Sequence, residues 1–447
     1  MADRHWFGTD GVRGVANERL SPELALKLAS GAAQVLSAGS PQRPIALIGK
    51  DTRQSGDMLE SALAAGFAAM GWDVALLGVV PTPAVAWLTR QRGAQLGAMI
   101  SASHNPAPDN GIKFFDHTGH KLSDAIEAAI EATMDQIPPR QTGAGVGRIQ
   151  TLSQAACTPY LAHLQQTDLI SLSSLRIAVD LAHGAMVDLA PALFEALGVQ
   201  AHYLHREPDG MNINQACGST HLEALQAYVQ THQLDLGVAF DGDGDRCLAV
   251  GPQGQLIDGD QMLYLCRRYL PVLQREGTVV ATVMSNLGLE QALKALDCQL
   301  LRTAVGDRYV LEAMQAGQHA LGGEQSGHLI FAPYQSTGDG LLSALQLMNA
   351  VARSGKTLTE LLSDMPQYPQ LLKNVVVSAH WQQHWPEHIG LQAAAQAANA
   401  RLADQGRLLL RASGTEPKLR VMAEGADAQM VTAVVNELCA LIAAEMT

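Results

Sequence analysis

The chain has 447 residues, 47% of them apolar and 16% charged, and carries a formal net charge of −13. At ~150 residues per domain this is about three domains, with four inside the scatter, and the composition is that of a globular rather than a disordered chain. The acidic shell excludes nucleic acid and anionic membranes as main partners, and it admits a phosphorylated ligand only where Arg, Lys and backbone N–H groups reverse the field locally.

Aromatic residues make up only 4%, so Ala, Leu and Val must fill the cores. Cys157, Cys217, Cys247, Cys266, Cys298 and Cys439 lie far apart without a CxxC pair, which fits reduced thiols better than a disulfide framework or a zinc site. The N-terminus has no apolar signal core, and no stretch reaches the ~18 uncharged apolar residues that span a bilayer. The cytoplasm is the expected location.

The first strand, Ile45–Ile48, runs into Gly49-Lys50-Asp51, a helix through Met58–Met70, Gly71 and a strand at Val74–Leu77. A glycine at such a helix end fits a left-handed C-cap. A further strand carrying Leu96, Ala98, Met99 and Ile100 delivers Ser101-Ala102-Ser103-His104-Asn105-Pro106, then Asp109-Asn110-Gly111 and Lys113. Pro106 and the Asp-Asn-Gly turn hold this loop in a fixed, exposed shape. Ser103 beside His104, with a lysine ten residues on, suits a hydroxyl that carries phosphate near a cation. The same residues also suit a plain polar strand-to-turn loop.

Gln136–Ile149 is rich in Pro and Gly and reads as an interdomain connection. Its Gly143-x-Gly145-x-Gly147 superficially resembles a dinucleotide loop, but it follows a Pro-Pro pair instead of a strand. The strand–helix–glycine–strand grammar returns at Arg176–Asp180, Val187–Leu197, Gly198 and Val199–Leu204. It returns again at Thr278–Val283, Ser285-Asn286-Leu287-Gly288, Leu289–Leu296 and Gln299–Arg302. Three such units imply three α/β domains of similar plan.

Between the last two units, Leu236–Phe240 leads into Asp241-Gly242-Asp243-Gly244-Asp245-Arg246. Carboxylates at i, i+2 and i+4 on an extended loop point to one side, and they are too repulsive to converge without a hard divalent cation, Mg²⁺ or Ca²⁺. An EF-hand fails because its twelfth position, counted from Asp241, is Pro252 where a bidentate Glu is needed. Further on, Gly322-Gly323-Glu324-Gln325-Ser326-Gly327-His328 places Glu324 and Ser326 as an acceptor–donor pair for vicinal sugar hydroxyls, or as a solvated β-turn.

The last ~75 residues change character. A strand at Asn374–Val377, a helix at Leu391–Leu402, a strand pair at Arg407–Arg411 and Leu419–Ala423 and a helix at Asp427–Ala444 fit a mixed fourth domain. Between the paired strands, Ser413-Gly414-Thr415 offers successive backbone N–H groups and two hydroxyls. Arg411 and Arg420 flank it with guanidinium forks suited to phosphate, although a hairpin turn would use the same residues.

In this order, the motifs resemble those of the α-D-phosphohexomutase family along nearly the whole chain. Phe7-Gly8-Thr9-Asp10-Gly11-Val12-Arg13-Gly14, Val283-Met284-Ser285-Asn286-Leu287-Gly288 and Gly323-Glu324-Gln325-Ser326-Gly327-His328 resemble its bacterial glucosamine-phosphate branch more than the glucose and mannose branches. The resemblance implies an α/β fold of three similar domains with mixed sheets plus a smaller C-terminal α+β domain around a central cleft. The expected divisions are 1–150 with the phosphoserine, 151–255 with the metal, 256–370 with sugar recognition and 371–447 with phosphate binding.

It also implies that Ser103 is the phosphoserine and that one Mg²⁺ is held by its phosphate with Asp241, Asp243 and Asp245. Arg13, Lys113 and Arg246 would lie near the transferred phosphoryl group, with the acid or base among these, His104 and His328. Glu324, Ser326, Arg411, Ser413, Gly414, Thr415 and Arg420 would bind a small sugar phosphate, with glucosamine 1,6-bisphosphate as the activating intermediate. A homodimer is the candidate assembly. Lys418 departs from the pattern, standing where an apolar residue is expected before the Leu-Arg-Val strand.

Overall fold

A computed structural model describes residues 5–8, 10–37, 43–136, 140–413 and 417–446. It divides into two compact units. One comprises Met1–Thr282 with Thr303–Leu362, and the other Val283–Arg302 with Ser363–Thr447.

In the first unit, a six-stranded mixed sheet runs in the order 12–15, 109–116, 96–100, 45–50, 73–79 and 149–151. Leu96–Ile100 lies in its middle, parallel to Ile45–Lys50 and antiparallel to Asp109–Asp116, and is buried along its whole length. That burial explains the unbroken apolar run. Helices Pro22–Leu36 and Gly56–Ala69 cover the sheet with Leu28, Leu59, Leu63 and Phe67, all fully buried. Part of the expected connection is itself structure: Ile149–Thr151 adds a parallel edge strand beside Val74–Leu76, and Gly143–Gly145 forms one 3₁₀ turn.

A five-stranded sheet follows in the order 256–257, 247–250, 236–240, 176–180 and 200–204. Arg176–Asp180 is parallel to both Gln200–Leu204 and Leu236–Phe240. The helix expected from Val187 starts at Leu189 and ends by Ala196. Gly71 and Gly198, with φ of +86° and +68°, adopt the left-handed conformation expected after their helices. Later in this unit, Thr278–Thr282 pairs parallel with Leu321–Gly323, which pairs antiparallel with Leu329–Phe331.

The second unit has a three-stranded antiparallel sheet in the order 370–376, 418–425 and 406–412. Lys418, the residue that departs from the family pattern, opens its central strand opposite Val376. Ala428–Glu445 is, among the described residues, the one helix long and apolar enough to cross a membrane by length and composition. Its Val431, Val434, Val435, Leu438 and Ile442 are instead buried in the core under this sheet.

Candidate active site

The central strand Leu96–Ile100 ends at a hairpin that the protein seals rather than exposes. Ser103 is 1% exposed and holds a left-handed φ of +53°. Such a backbone costs about 1–3 kcal/mol in a non-glycine residue and persists only where its surroundings enforce it. Arg53 provides that enforcement. Its guanidinium donates to the carbonyls of Ser103 (3.0 Å), Asn105 (2.7 Å), Pro106 (2.5 Å) and Asp109 (2.9 Å), and its Nε donates to Oδ2 of Asp51 (2.9 Å). From the neighbouring domain, Asn214 Nδ2 donates to the carbonyls of Ser103 at 2.9 Å and Asn105 at 3.0 Å.

Ser103 Oγ donates to Oδ2 of Asp241 at 2.6 Å, and Nδ1 of His104 lies 3.4 Å from Ser103 Oγ. Burial, with Arg246 and Arg13 nearby, lowers the His104 pKa to about 4, so the ring is neutral near pH 7.

Asp241, Asp243 and Asp245 follow the buried strand Leu236–Phe240, and the chain returns antiparallel through Cys247–Val250. They converge in a compact turn, with Gly244 left-handed at φ +68°, and not on the extended loop expected from their alternate spacing. One oxygen from each lies within 4.8 Å of the others, and all three residues are buried. Gly242 permits the approach to Ser103, since a Cβ there would stand 2.6 Å from the Ser103 carbonyl oxygen.

Lys113 Nζ donates to Oδ2 of Asp243 at 2.7 Å and Oδ2 of Asp245 at 3.4 Å, and Thr82 Oγ1 also donates to Oδ2 of Asp243 at 2.7 Å. Burial alone would lower the Lys113 pKa, but Asp243 and Asp245 outweigh it and hold the ammonium above its ordinary range. Burial and repulsion from Asp245 and Asp243 push Asp241 well above the usual carboxylate range. Burial acts the same way on Asp245, but Lys113 and His328 overcome it and hold that group well below.

Among the described residues, Oδ1 of Asp243 is buried without a hydrogen-bond partner, while Oδ1 of Asp245 faces only Nδ1 of His328 at 3.6 Å and Nε of Arg246 at 3.9 Å. Orphaned carboxylate oxygens are costly unless a cation meets them. An oxygen-only set of three carboxylates beside a serine hydroxyl fits a hard divalent ion such as Mg²⁺.

Ser103 opens on a cavity of about 180 Å³ lined also by Asp10, Arg13, Asp245, Arg246, Val305, Gly306, Asp307, Glu324 and His328. Nε of Arg13 and Nε of Arg246 are buried there without a hydrogen-bond partner among the described residues, although Arg246 Nε lies 3.9 Å from Asp245 and Arg13 pairs with Asp10 at 3.6 Å. His328 sits between two carboxylates, with Nδ1 3.6 Å from Asp245 and Nε2 3.6 Å from Asp307. Burial lowers its pKa, but those carboxylates win and raise it. Glu324 Oε1 accepts from the backbone N–H of Gly306 at 3.0 Å. Ser326 does not line this cavity, although its Oγ is buried without a partner.

In the second unit, Arg411 and Arg420 stand directly opposite each other across antiparallel strands. Burial and the facing Arg420 both lower the Arg411 pKa. Like charges at such a pair are unfavourable unless an anion joins them. Among the described residues, Nε of Arg411 and Oγ of Ser413 are buried without a hydrogen-bond partner, an arrangement that could receive an anion. Gly414 and Thr415 lie outside the described residues.

Thus Ser103, His104, Lys113, Arg13, Arg246, His328, Glu324 and the three aspartates come together within the first unit, while Arg411, Ser413 and Arg420 cluster in the second. Sequence reasoning missed Asp51, Arg53, Thr82, Asn214 and Asp307. Asp51-x-Arg53 directly after a buried strand was the available signal, since charged groups placed there need partners.

The description "Phosphoglucomutase/phosphomannomutase, alpha/beta/alpha domain I" matches residues 4–141. Domain II of the same description matches 158–254, domain III 258–368 and the C-terminal domain 372–441. The phosphoglucosamine mutase of Corynebacterium efficiens is 48% identical over 443 residues, covering 98% of this chain and 99% of that protein. That of Symbiobacterium thermophilum is 49% identical over 450 residues, with the same coverage. Among solved structures, a putative phosphomannomutase from Thermus thermophilus superposes with a TM-score of 0.80 at 25% identity, covering 99% of this chain and all of that one. The N-acetylphosphoglucosamine mutase of Aspergillus fumigatus, solved with GlcNAc-6P and magnesium, has a TM-score of 0.66 at 17% identity and shares the fold, covering 100% of this chain and 96% of that one.

Proposed function

The chain belongs to the phosphoglucomutase/phosphomannomutase family, and we propose that it is a member interconverting glucosamine 6-phosphate and glucosamine 1-phosphate. It is an enzyme of the isomerase class, an intramolecular phosphotransferase of amino-sugar metabolism. The observation that carries this reading is Ser103 Oγ held 2.6 Å from Asp241 inside the buried carboxylate triplet. A binding protein has no need of a sealed hydroxyl next to three carboxylates.

In the forward direction, phosphoserine 103 meets the C1 hydroxyl of glucosamine 6-phosphate. The new P–O1 bond forms as the P–Oγ bond breaks, the C1 hydroxyl loses its proton and Oγ regains one, giving glucosamine 1,6-bisphosphate. After the sugar turns over, Oγ loses its proton and attacks the phosphorus at C6, the P–O6 bond breaks, O6 takes up a proton and glucosamine 1-phosphate departs. Lys113, Arg13 and Arg246 stabilise charge on the moving phosphoryl group. His104 would move the Oγ proton, a role supported by its neutral ring lying 3.4 Å from Oγ. Glu324, which lines the cavity, would read sugar hydroxyls, and Ser326, which does not line it, would do so only from the same loop, while Arg411, Ser413 and Arg420, with Gly414 and Thr415, would grip the phosphate that is not transferred.

Mg²⁺, when bound by Asp241, Asp243, Asp245 and the Ser103 phosphate, supplies positive charge beside the transferred group. The product would feed UDP-N-acetylglucosamine synthesis and peptidoglycan precursors in the cytoplasm, and a homodimer is the proposed assembly.

Two measurements test the proposal. Protein isolated from cells should contain a fraction about 80 Da heavier by intact mass, the signature of a covalent phosphoryl carrier. That fraction should vanish in Ser103→Ala, and its survival there places the carrier elsewhere. With Mg²⁺ and the matching bisphosphate, kcat/KM should favour glucosamine 6-phosphate over glucose 1-phosphate. A large preference for glucose would assign the chain to the glucose branch.

A further inference from the structure

A second cluster of ligating side chains lies in the domain that carries the aspartate triplet but plays no part in the chemistry above. Asp180 ends the strand Arg176–Asp180, and His205 follows the parallel neighbour Gln200–Leu204. Cys217 immediately precedes the turn Gly218–Thr220. A carboxylate oxygen, an imidazole nitrogen and a sulfur from these three lie within 4.8 Å of one another. The carboxyl ends of parallel strands are the common place for ligands in open α/β sheets.

The surroundings are those of an incomplete coordination shell. His205 Nδ1 comes 3.0 Å from Oδ2 of Asp180, and Nδ1 of His183 is buried nearby. His183 packs edge-on against His205, ring centroids 5.4 Å apart. Backbone N–H groups of Ala182 (2.9 Å) and Gly218 (3.0 Å) orient the Asp180 carboxylate, as outer-shell partners orient a metal ligand. Ala182, His183, His205, Asn214 and Ala216 all hold left-handed φ between +49° and +59°, a concentration of strain that needs a compensating interaction. Asp180 and Cys217 are completely buried, while the His205 side chain is 25% exposed and offers an entry route.

We propose that Asp180, His205 and Cys217 form a second cation site, for a borderline-soft divalent ion of the Zn²⁺ class, with its fourth position taken by water or His183. Thiolate, imidazole and carboxylate together select such an ion and reject Mg²⁺, whereas the oxygen-only triplet does the reverse. On binding, the metal–sulfur bond forms as the Cys217 thiol proton leaves to solvent. Thiolate and carboxylate then balance the charge of the ion. The ion would fasten the loop that carries Asn214, whose amide holds the Ser103 carbonyl at 2.9 Å.

Cobalt(II) is the probe. The full-length protein, with excess Mg²⁺ present to occupy the triplet, is titrated with Co²⁺ and its absorption followed. The expected result is a thiolate-to-cobalt charge-transfer band saturating at one ion per chain, displaced by Zn²⁺. Cys217→Ser and His205→Gln should each abolish the band, weakening binding by more than the ~10–100-fold that outer-shell changes cost. His205→Gln, a change at a partly exposed side chain, carries the test alone if Cys217→Ser does not fold, and retained Mg²⁺-dependent turnover verifies its fold. Absence of a saturable band in the wild-type chain, or its survival in either variant, overturns the proposal. The readout is independent of which sugar phosphate the enzyme converts.

Discussion

Lys113 donates from Nζ to Oδ2 of Asp243 at 2.7 Å, with both side chains sealed from solvent at 2% and 0% exposure. The ammonium is the one buried cation bonded to two members of the triplet among the described residues. It therefore holds part of the charge balance that a bound ion would complete.

Removing it should strand two buried carboxylates. Losing one member of a buried pair costs about 3–5 kcal/mol. Lys113→Met should lower the first thermal unfolding transition in chelator and recover much of that loss in excess Mg²⁺. An unchanged transition in chelator would contradict the assigned charge balance.

Asp243→Ala should lower turnover at saturating Mg²⁺ by at least ~100-fold, equivalent to about 2.7 kcal/mol of barrier. Steady-state kinetics across a Mg²⁺ series checks this. Near-normal rates with the usual Mg²⁺ dependence would remove the triplet from the mechanism.

Arg53 does not itself line the cavity, yet it fixes the backbone on which Ser103 stands. A lysine keeps the charge but lacks the planar fork that reaches four carbonyls. Small misplacements of a reacting group cost about 100-fold. Arg53→Lys should accordingly lower kcat far more than it raises KM, and it should slow phosphorylation of Ser103 by the sugar bisphosphate in single-turnover intact-mass experiments. Equal changes in both parameters would point to general loss of structure.

Arg420→Ala should act on binding instead. Charge-assisted hydrogen bonds contribute about 1.5–3 kcal/mol, so KM for the sugar phosphate should rise by ~10–100-fold. Inorganic phosphate should inhibit this variant less than the wild type. A kcat defect with unchanged KM would show that the pair facing Arg411 does not grip substrate.

Chelation offers a reversible check. Dialysis against a chelator should abolish turnover, and Mg²⁺ should restore it, because an oxygen-only site prefers hard ions. Activity that persists after exhaustive chelation would remove the cation from the chemistry.

The sequence by itself determined what was written in local chemistry. Apolar strands ending in polar turns identified Ser103, the aspartate triplet and the Glu324 loop, because strand period and turn residues act over a few positions. Only the tertiary structure decided which of these meet and what holds them. Arg53 and Ser103 are 50 positions apart, Asn214 and Ser103 are 111 apart, and Lys113 and Asp243 are 130 apart. No periodicity encodes such pairs. They exist because charges and amides carried into a dry interior must find partners there, and packing of whole domains selects which partners are within reach. The aspartates show both halves: their spacing marked them as candidate ligands, but a left-handed Gly244 and a close-packed Gly242, not alternation along a strand, brought them together.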